Sequence, residues 1–412
     1  MLDRRQFLTW TLRGTSLLAT GTVIPQFLAQ TALAADASRD TVLVVVEMTG
    51  GNDGLNTVIP YADDLYHKAR PTLRHKKEQV IRVDDHIGLH PGMRSFDRLL
   101  QKGSLAVVQG VGYPNPDRSH FESMDIWQSA DIKRRNNTGW IGRSIPDLQD
   151  KKGNVPVLQI GAQRLPLALQ GAAAGVASIN ERQPFRLELG KPARQKARRH
   201  LLDEMANLGE AGENSLLQFV QRRQVNTYAT LDRLQEVLGS SGQQQRAPFP
   251  FTSLAQKLQL IGRIIERGFG TRVFYVSLDG FDTHAAQANT HQRLLQELAD
   301  AVASFFDELE RSGQAKRVLL MTFSEFGRRV QENGSKGTDH GAASCLFVAG
   351  PAVRGGPVGT HPSLKDLDAG DLKFNLDFRR FYATLLDDWL GCDSKTVLGG
   401  EFGHIELLKA RT

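Results

Sequence analysis

The strongest constraint on the fold is a set of five short apolar runs, several rich in β-branched residues, separated by helical patterns. The first run, residues 41–48 (TVLVVVEM), leads into a glycine-rich segment, as a buried central strand does when it enters a loop. The other runs are residues 105–109, 272–278, 317–323 and 343–349. Helices are predicted over residues 92–100, 253–267 and 292–309. Strands that alternate with helices predict an α/β fold with a mostly parallel sheet between helices.

One long segment departs from this alternation. Residues from about 193 to 238 are polar and helical in pattern, and residues 240–250 (SSGQQQRAPFP) have the composition of a linker. We therefore predict a single α/β domain over residues 35–412 that carries a helical insertion at about 145–250, without a second catalytic domain.

The first 34 residues have the pattern of an export signal. Residues 4–8 (RRQFL) begin it, a mildly apolar stretch follows, and residues 32–34 (ALA) permit cleavage before Ala35. The arginine pair indicates the twin-arginine type, so we expect the twin-arginine translocase as a partner during export. A membrane anchor is the weaker alternative because Arg13 and Pro25 interrupt the apolar stretch. The mature chain is expected to be periplasmic or secreted and to have no transmembrane segment.

Charge and cysteine content exclude some functions. The net charge of +6 is spread along the chain, with its densest stretch at residues 191–200 (KPARQKARRH), and no nucleic-acid-binding module accompanies it. We therefore expect no nucleic-acid partner. Cys345 and Cys392 are the only cysteines, so a Cys/His zinc motif is absent, while a disulfide and two buried thiols both remain open.

Polar residues suited to metal binding lie where the predicted strands end. Those predicted as ligands are Asp53 after the first run, Asp282 and His284 after the third, Glu325 after the fourth, and Asp339 and His340 before the fifth. Ligands gather at the carboxyl ends of strands in open α/β sheets, so a loop would have to bring the last two residues back to that edge. Carboxylates with a few imidazoles suit one or two divalent ions: zinc, manganese, magnesium or calcium. An aspartate after a strand is also a common helix cap, and that alternative stays open.

A nucleophile is predicted at the helix that follows the second run. Ser119 and Glu122 have the spacing of a capping box, so Ser119 is either a structural cap or a nucleophile at a helix N-terminus. Arg118 and His120 would help to bind an anionic group, and His120 is alternatively a metal ligand. Arg328 would contact the anion or pair with surface carboxylates.

Six motifs resemble those of a widespread bacterial family, the family of domain of unknown function 1501. They are GGNDGLN (50–56), RSHFE (118–122), GWIGR (139–143), GFDTH (280–284), SEFGR (324–328) and GTDHG (337–341). The resemblance spans nearly the whole mature chain. This family is similar to the alkaline phosphatase and sulfatase superfamily, which implies a metal-dependent α/β fold that hydrolyses phosphate and sulfate esters.

The resemblance also implies roles for individual residues. Asp53 resembles the metal-binding aspartate after the first strand, and Ser119 stands where the nucleophile would fall. Asp282 and His284 resemble the aspartate and histidine of one metal, although the superfamily usually spaces that pair more widely. His340 resembles the last histidine ligand.

Two departures from the superfamily pattern keep alternatives open. The place of an Asp-His dipeptide holds Glu325-Phe326, so one imidazole ligand is missing there, and Ser119 lacks the surrounding motif of a standard sulfatase. The leading hypothesis is an exported metal-dependent hydrolase that acts on an anionic small-molecule or envelope substrate. The alternatives are a non-catalytic envelope-binding protein on the same fold and a metal-dependent transferase or mutase.

Overall fold

The computed structural model describes residues 40–149, 154–161, 164–171, 176–179 and 249–410. Its strands are β1 (Val42–Thr49), β2 (Val58–Ile59), β3 (Ile81–Arg82), β4 (Gly88–Leu89), β5 (Leu105–Gly112), β6 (Val157–Ile160), β7 (Val176–Ile179), β8 (Val273–Asp279), β9 (Val318–Phe323), β10 (Ser344–Ala349), β11 (Gly356–Val358), β12 (Leu367–Asp368), β13 (Asp371–Leu372) and β14 (Leu376–Asp377). Its α-helices are α1 (Gly54–Thr57), α2 (Asp64–Ala69), α3 (Ser95–Gln101), α4 (His120–Ser129), α5 (Trp140–Leu148), α6 (Ser253–Glu266), α7 (Gln287–Arg311), α8 (Phe378–Thr384) and α9 (Ser394–Leu398). None of the helices in these ranges combines the length and apolar character needed to cross a bilayer.

The order and direction of the strands in the main sheet determine where the loops with the predicted site residues lie. Within the described residues it has nine strands in the order β11-β5-β10-β9-β1-β8-β6-β7, and β14 also pairs with β5. β1 lies between β8 and β9 and is parallel to both. β10 is antiparallel to its neighbours β9 and β5, so β5 and β9 run in the same direction. The carboxyl ends of β1, β5, β8 and β9 and the amino end of β10 therefore lie at one edge.

Two hydrophobic clusters, one on each face of the sheet, form the core. Side chains alternate along a strand, so Val42, Val44 and Val46 of β1 belong to one cluster, and Leu43 and Val45 belong to the other. Helices α3, α6 and α7 contribute to the first cluster, and α4, α5 and α8 contribute to the second. Each fully buried valine or leucine contributes about 1.5–3 kcal/mol, which explains why the apolar runs specify the sheet so strongly.

The predicted central elements are confirmed. All five apolar runs form strands, namely β1, β5, β8, β9 and β10, and the two longer predicted helices are α6 and α7. The short helix predicted over residues 92–100 is divided into a 3₁₀ turn at Pro91–Met93 and α3.

The segment predicted as a helical insertion contributes to the sheet as well. β6 and β7 lie inside the range 145–250, where β6 pairs in parallel with β8 and β7 pairs in parallel with β6. The apolar run at 157–160 is buried at every position, which is why it joins the sheet. Residues 180–248, with the basic stretch at 191–200, and the predicted leader at 1–34 lie outside the described residues.

Both cysteines are buried free thiols. Cys345 belongs to the cluster on one face of the sheet and Cys392 to the cluster on the other. Burial raises the pKa of each thiol to about 12, so both remain protonated and unreactive at neutral pH.

Candidate metal centre

Three predicted site residues meet at the carboxyl edge of the sheet. His120 begins α4 beyond β5, Asp282 follows β8, and His340 precedes β10. One ligand atom from each lies within 4.8 Å of the other two. The loop expected to carry His340 back to this edge is unnecessary, because β10 is antiparallel and begins there. The topology thus brings together residues that are far apart in the chain.

The carboxylate of Asp282 is the centre of this group. Its Oδ1 lies 3.0 Å from His284 Nε2, 3.4 Å from His120 Nε2 and 3.5 Å from His340 Nε2. The Nε2 atoms of His284 and His340 are 2.9 Å apart. A tetrahedral zinc ion with bonds of about 2.0–2.1 Å places its ligand atoms about 3.3 Å apart. The distances from Asp282 Oδ1 to the three nitrogens, 3.0–3.5 Å, are close to this spacing, and His120, Asp282 and His340 form a candidate site for one ion.

Each histidine is oriented by an oxygen acceptor at its other ring nitrogen. The Nδ1 contacts are His120 with Glu325 Oε1 at 2.7 Å, His284 with Asp339 Oδ1 at 3.1 Å, and His340 with the carbonyl of Arg118 at 2.8 Å. An ionised carboxylate or a carbonyl only accepts, so each Nδ1 is the donor. In the neutral form of each ring, Nε2 is then the unprotonated nitrogen and faces Asp282, as metal binding requires. Histidines that bind metals are usually held in this way.

Of the three inward-facing nitrogens in the described part of the chain, one has no hydrogen-bond partner, whereas His284 Nε2 lies 3.4 Å from Nη1 of Arg328 and 2.9 Å from Nε2 of His340. His120 Nε2 is buried and has no hydrogen-bond partner among the described residues. A buried nitrogen acceptor left unsatisfied costs about 1–3 kcal/mol. A divalent cation would satisfy His120 Nε2 and balance the negative charge of the neighbouring Asp282 carboxylate.

The protonation states agree with this arrangement. Burial raises the pKa of Asp282, but the hydrogen bond and charge of Arg328 outweigh it and keep this pKa below the ordinary value. Burial lowers the pKa of His340. The hydrogen bond to Glu325 raises the pKa of His120, so a bound ion would have to displace a proton there. Asp282 is therefore ionised and His340 neutral at neutral pH.

Arg328 holds the loops around the centre in place. It is 1% exposed, and its guanidinium donates to Asp282 at 2.7 Å. Its backbone acceptors are the carbonyls of Gly50, Gly51, Phe281 and Thr338. These contacts join the loops after β1 and β8 to the segment before β10. The expected role of Arg328 in binding an anion does not agree with this burial, because its donors are used inside the protein.

The loop after β1 approaches the loop after β8 at a glycine. Gly50 has φ +113°, and a Cβ added to it would lie 2.4 Å from the backbone nitrogen of Asp282. Any other residue would be strained there and would displace Asp282. The glycine-rich segment after the first strand therefore allows Asp282, a candidate ligand in the neighbouring loop, to keep its position.

The structure does not place Asp53 with the ligands. Its carboxylate receives two hydrogen bonds from Arg70, at 2.6 and 3.0 Å, and another from Gln287. Burial raises the pKa of Asp53, but the charge and hydrogen bonds of Arg70 reverse this and lower it to about 2. Asp53, expected as a metal ligand, instead neutralises a fully buried arginine.

Glu325 and Asp339 contact the outer ring nitrogens of two candidate ligands, His120 and His284. Glu325 is 1% exposed and accepts from the backbone nitrogen of Gly50 at 2.9 Å as well as from His120. Asp339 contacts His284 in the same supporting way. The imidazole that is absent at Phe326 has a counterpart in His120, which begins α4 after β5. His120 was expected first as an anion-binding residue, with ligation as the alternative.

Ser119 and Arg118 lie directly before His120. Ser119 is the N-cap of α4, with its Oγ 3.5 Å from the backbone nitrogen of Glu122, and is half-buried. The Arg118 side chain is 43% exposed, and its Nε donates to Asp371 at 2.8 Å. Of the two arginines expected to bind an anion, Arg118 is the one with an accessible guanidinium.

Sequence reasoning missed Asn333, which shapes the segment before His340. Its side chain donates to the carbonyl of His284 at 2.9 Å and to Asp339 at 3.1 Å, and accepts from the backbone nitrogens of Ser335 and Gly337. The Asn-Gly pair at 333–334 is a turn signal that points to this role.

Fold and site together define an α/β protein with a candidate metal centre at the carboxyl edge of a mostly parallel sheet, as the sequence predicts. The chain belongs to the family described as "Protein of unknown function (DUF1501)", whose model matches residues 40–405. The resemblance drawn from the six motifs is thereby confirmed. No curated protein sequence matches the chain significantly.

Several solved structures are similar to this one at low sequence identity. The PsFucS1 sulfatase from Pseudoalteromonas sp. is 11% identical with a TM-score of 0.38, over 90% of this chain and 70% of that chain. The C-terminal periplasmic domain of EcEptC from Escherichia coli is 12% identical with a TM-score of 0.29, over 75% and 72%. A mutant of the alkaline phosphatase PafA is 10% identical with a TM-score of 0.29, over 69% and 63%. The roles of the site residues are therefore inferred from the contacts within this chain.

Proposed function

We propose that this chain is an exported, metal-dependent hydrolase of phosphate or sulfate esters or of a related anionic group. The observation that carries the proposal is the convergence of three imidazole Nε2 atoms and the Asp282 carboxylate, each imidazole being oriented by an oxygen acceptor. A nitrogen-rich set of this kind favours zinc over magnesium or calcium, which prefer oxygen ligands. His120, His284, His340 and Asp282 would hold one such ion.

The open face of the centre leaves room for a substrate. The side chains of Asp282 and His284 are 49% and 44% exposed, so an anionic group has access from solvent. When bound, the ion would polarise an ester oxygen and lower the pKa of a hydroxyl or water beside it. Ser119, at the start of α4, is the proposed nucleophile, because the first-turn N–H groups and the helix dipole favour negative charge there. Arg118 would contact the anion.

The rival function of a non-catalytic binding protein loses part of its basis. It rested on a missing imidazole ligand and on the long helical insertion, and His120, with Nδ1 2.7 Å from Glu325 Oε1, would take the place of that ligand. A transferase or mutase on the same site differs only in the acceptor, which is a hydroxyl compound in place of water.

Metal content and ester hydrolysis test the proposal together. We expect mature protein to bind about one equivalent of zinc and then to release nitrophenol from p-nitrophenyl phosphate or p-nitrophenyl sulfate. Release that requires an added alcohol as acceptor would assign the transferase. Folded protein that binds none of zinc, manganese, magnesium or calcium in excess would exclude the metallohydrolase and support the binding protein.

Export is tested separately by the arginine pair of the leader. Replacing Arg4 and Arg5 together by lysine is expected to leave the precursor in the cytoplasm, because the twin-arginine translocase reads that pair. Arg13→Lys, a change of the same kind outside the pair, should leave the mature protein in the periplasm. Equal periplasmic amounts of the double variant and the control would contradict twin-arginine export.

A further inference from the structure

A cleft of about 550 Å³ lies directly beside the candidate metal centre. It is bounded by the loop that carries Arg118, by Ala342 two residues beyond His340, and by the β12–β13 hairpin. The carbonyl of Arg118 accepts the hydrogen bond from His340, so one wall of the cleft is also a wall of the centre. Its volume is within the range of small-molecule sites, which is about 300–1,000 Å³.

Two residues that line the cleft each have a buried polar atom without a hydrogen-bond partner among the described residues. The indole N–H of Trp127, a residue that is 1% exposed, has none among the described residues. Asp371 is 2% exposed, and its Oδ1 also has none; the nearest cation, Arg329 Nε, is 3.6 Å away. One group is a donor and the other an acceptor. A hydroxyl group, which donates and accepts, has the chemistry to satisfy both.

The two cations that line the cleft, Arg118 and Lys373, already have carboxylate partners. Arg118 forms an ion pair with Asp371, and Lys373 forms one with Asp366 outside the cleft. Asp368 adds a further negative charge to the lining. A second anion would therefore meet carboxylates without a free cation to balance it, so the occupant is expected to be uncharged.

We propose that this cleft binds the part of the substrate beyond the reacting group, and that this part is an uncharged moiety bearing several hydroxyls, such as a sugar or another polyol. The inference depends on the proposed function only in assigning the anionic half of the substrate. The uncharged half is inferred from the cleft itself. The substrate class is then a phosphate or sulfate ester of a polyhydroxylated compound.

Binding of neutral ligands to metal-free protein tests the cleft without relying on hydrolysis. The probes are methyl α-glucopyranoside and glycerol, with inorganic sulfate as the anionic comparison, and binding is followed by saturation-transfer NMR. We expect a neutral probe to bind and its affinity to fall at least about tenfold in Trp127→Phe, which removes the donor, and in Asp371→Leu, which removes the acceptor. Asp85→Leu, a change of the same kind at an exposed residue that pairs with Arg82 away from the cleft lining, should bind like the wild type.

The outcomes separate this inference from the proposed function. Neutral-probe binding that depends on Trp127 supports the cleft even where no ester is hydrolysed. Absence of neutral binding in a protein that hydrolyses p-nitrophenyl esters would overturn the cleft proposal and leave the hydrolase standing. Because Asp371→Leu leaves Arg118 unpaired and could fail to fold, Trp127→Phe decides in that event: undiminished affinity for a neutral probe in this variant overturns the proposal.

Discussion

Replacing Asp282 or His340 by alanine is expected to reduce bound zinc from about one equivalent to almost none. Asp282 supplies the only carboxylate of the group, and its Oδ1 lies within 3.5 Å of all three Nε2 atoms. Its removal leaves three neutral or protonated imidazoles with no anion to balance a divalent charge. Metal content by mass spectrometry on dialysed protein measures the effect, and hydrolysis should fall with it by at least about 100-fold.

A variant with a smaller expected loss of zinc affinity and a matched control test the same site. Glu325→Gln keeps all four ligand atoms but weakens the acceptor that orients His120, so zinc affinity should fall by only about 10–100-fold. His404→Gln is the matched control, because that histidine is half-exposed and pairs with Asp387 instead of a ligand. Full zinc occupancy in Asp282→Ala, or equal losses in Asp282→Ala and His404→Gln, would show that the ion is not bound here.

Replacing Arg70 by methionine is expected to lower the free energy of unfolding by about 3–5 kcal/mol at neutral pH. Arg70 and Asp53 are both fully buried, and methionine fills much of the space but leaves the carboxylate without a countercharge. The change also removes the donors to the carbonyls of Arg329 and Val330. Denaturant unfolding followed by circular dichroism measures the loss.

The exposed pair Arg354–Glu406 provides the control for this experiment. Its two side chains are 62% and 84% exposed, so Arg354→Met should change stability by less than about 1 kcal/mol. Equal destabilisation by the two variants would contradict the buried-pair account.

The same pair also predicts a dependence on pH. Arg70 lowers the folded-state pKa of Asp53 from 3.8 to about 2, so the unfolded state takes up its proton first as the pH falls. Stability from this pair is therefore fully present above about pH 4 and is lost between about pH 4 and pH 2. In Arg70→Met, burial would raise the pKa of Asp53, so the deficit of the variant should shrink as the pH is lowered. A deficit that is constant between pH 7 and pH 4 would contradict this mechanism.

Much of the fold was predictable because it depends on local composition. The valine-rich run of β1 and the apolar runs of β8 and β9 can be buried only in a central sheet, and their ends place Asp282 and Glu325 at one edge. The direction of β10 was not predictable, because an apolar run has the same pattern in parallel and antiparallel strands. That direction is what brings His340 to the centre.

The roles of individual carboxylates were harder to predict for a related reason. Asp53 and Asp282 both follow a buried strand, and nothing local distinguishes them. Arg70, 17 residues further along the chain, pairs with Asp53, whereas three imidazoles lie within 3.5 Å of Asp282 Oδ1. Likewise, Glu325 occupies an expected ligand position, but His120, 205 residues away, stands in front of it. Which carboxylate oxygen remains available to a cation therefore depends on contacts between residues that are far apart in the chain.

The antiparallel β10 has a consequence for the stability of the whole chain. Through it, His340 contacts the carbonyl of Arg118, a residue 222 positions earlier, so the ligand group exists only when distant segments are folded together. An ion that binds this group binds the native state and not the unfolded chain, and thus raises the free energy of unfolding by about 2.7 kcal/mol at 100 times its dissociation constant. The melting temperature of the protein would then follow the concentration of free ion in its compartment.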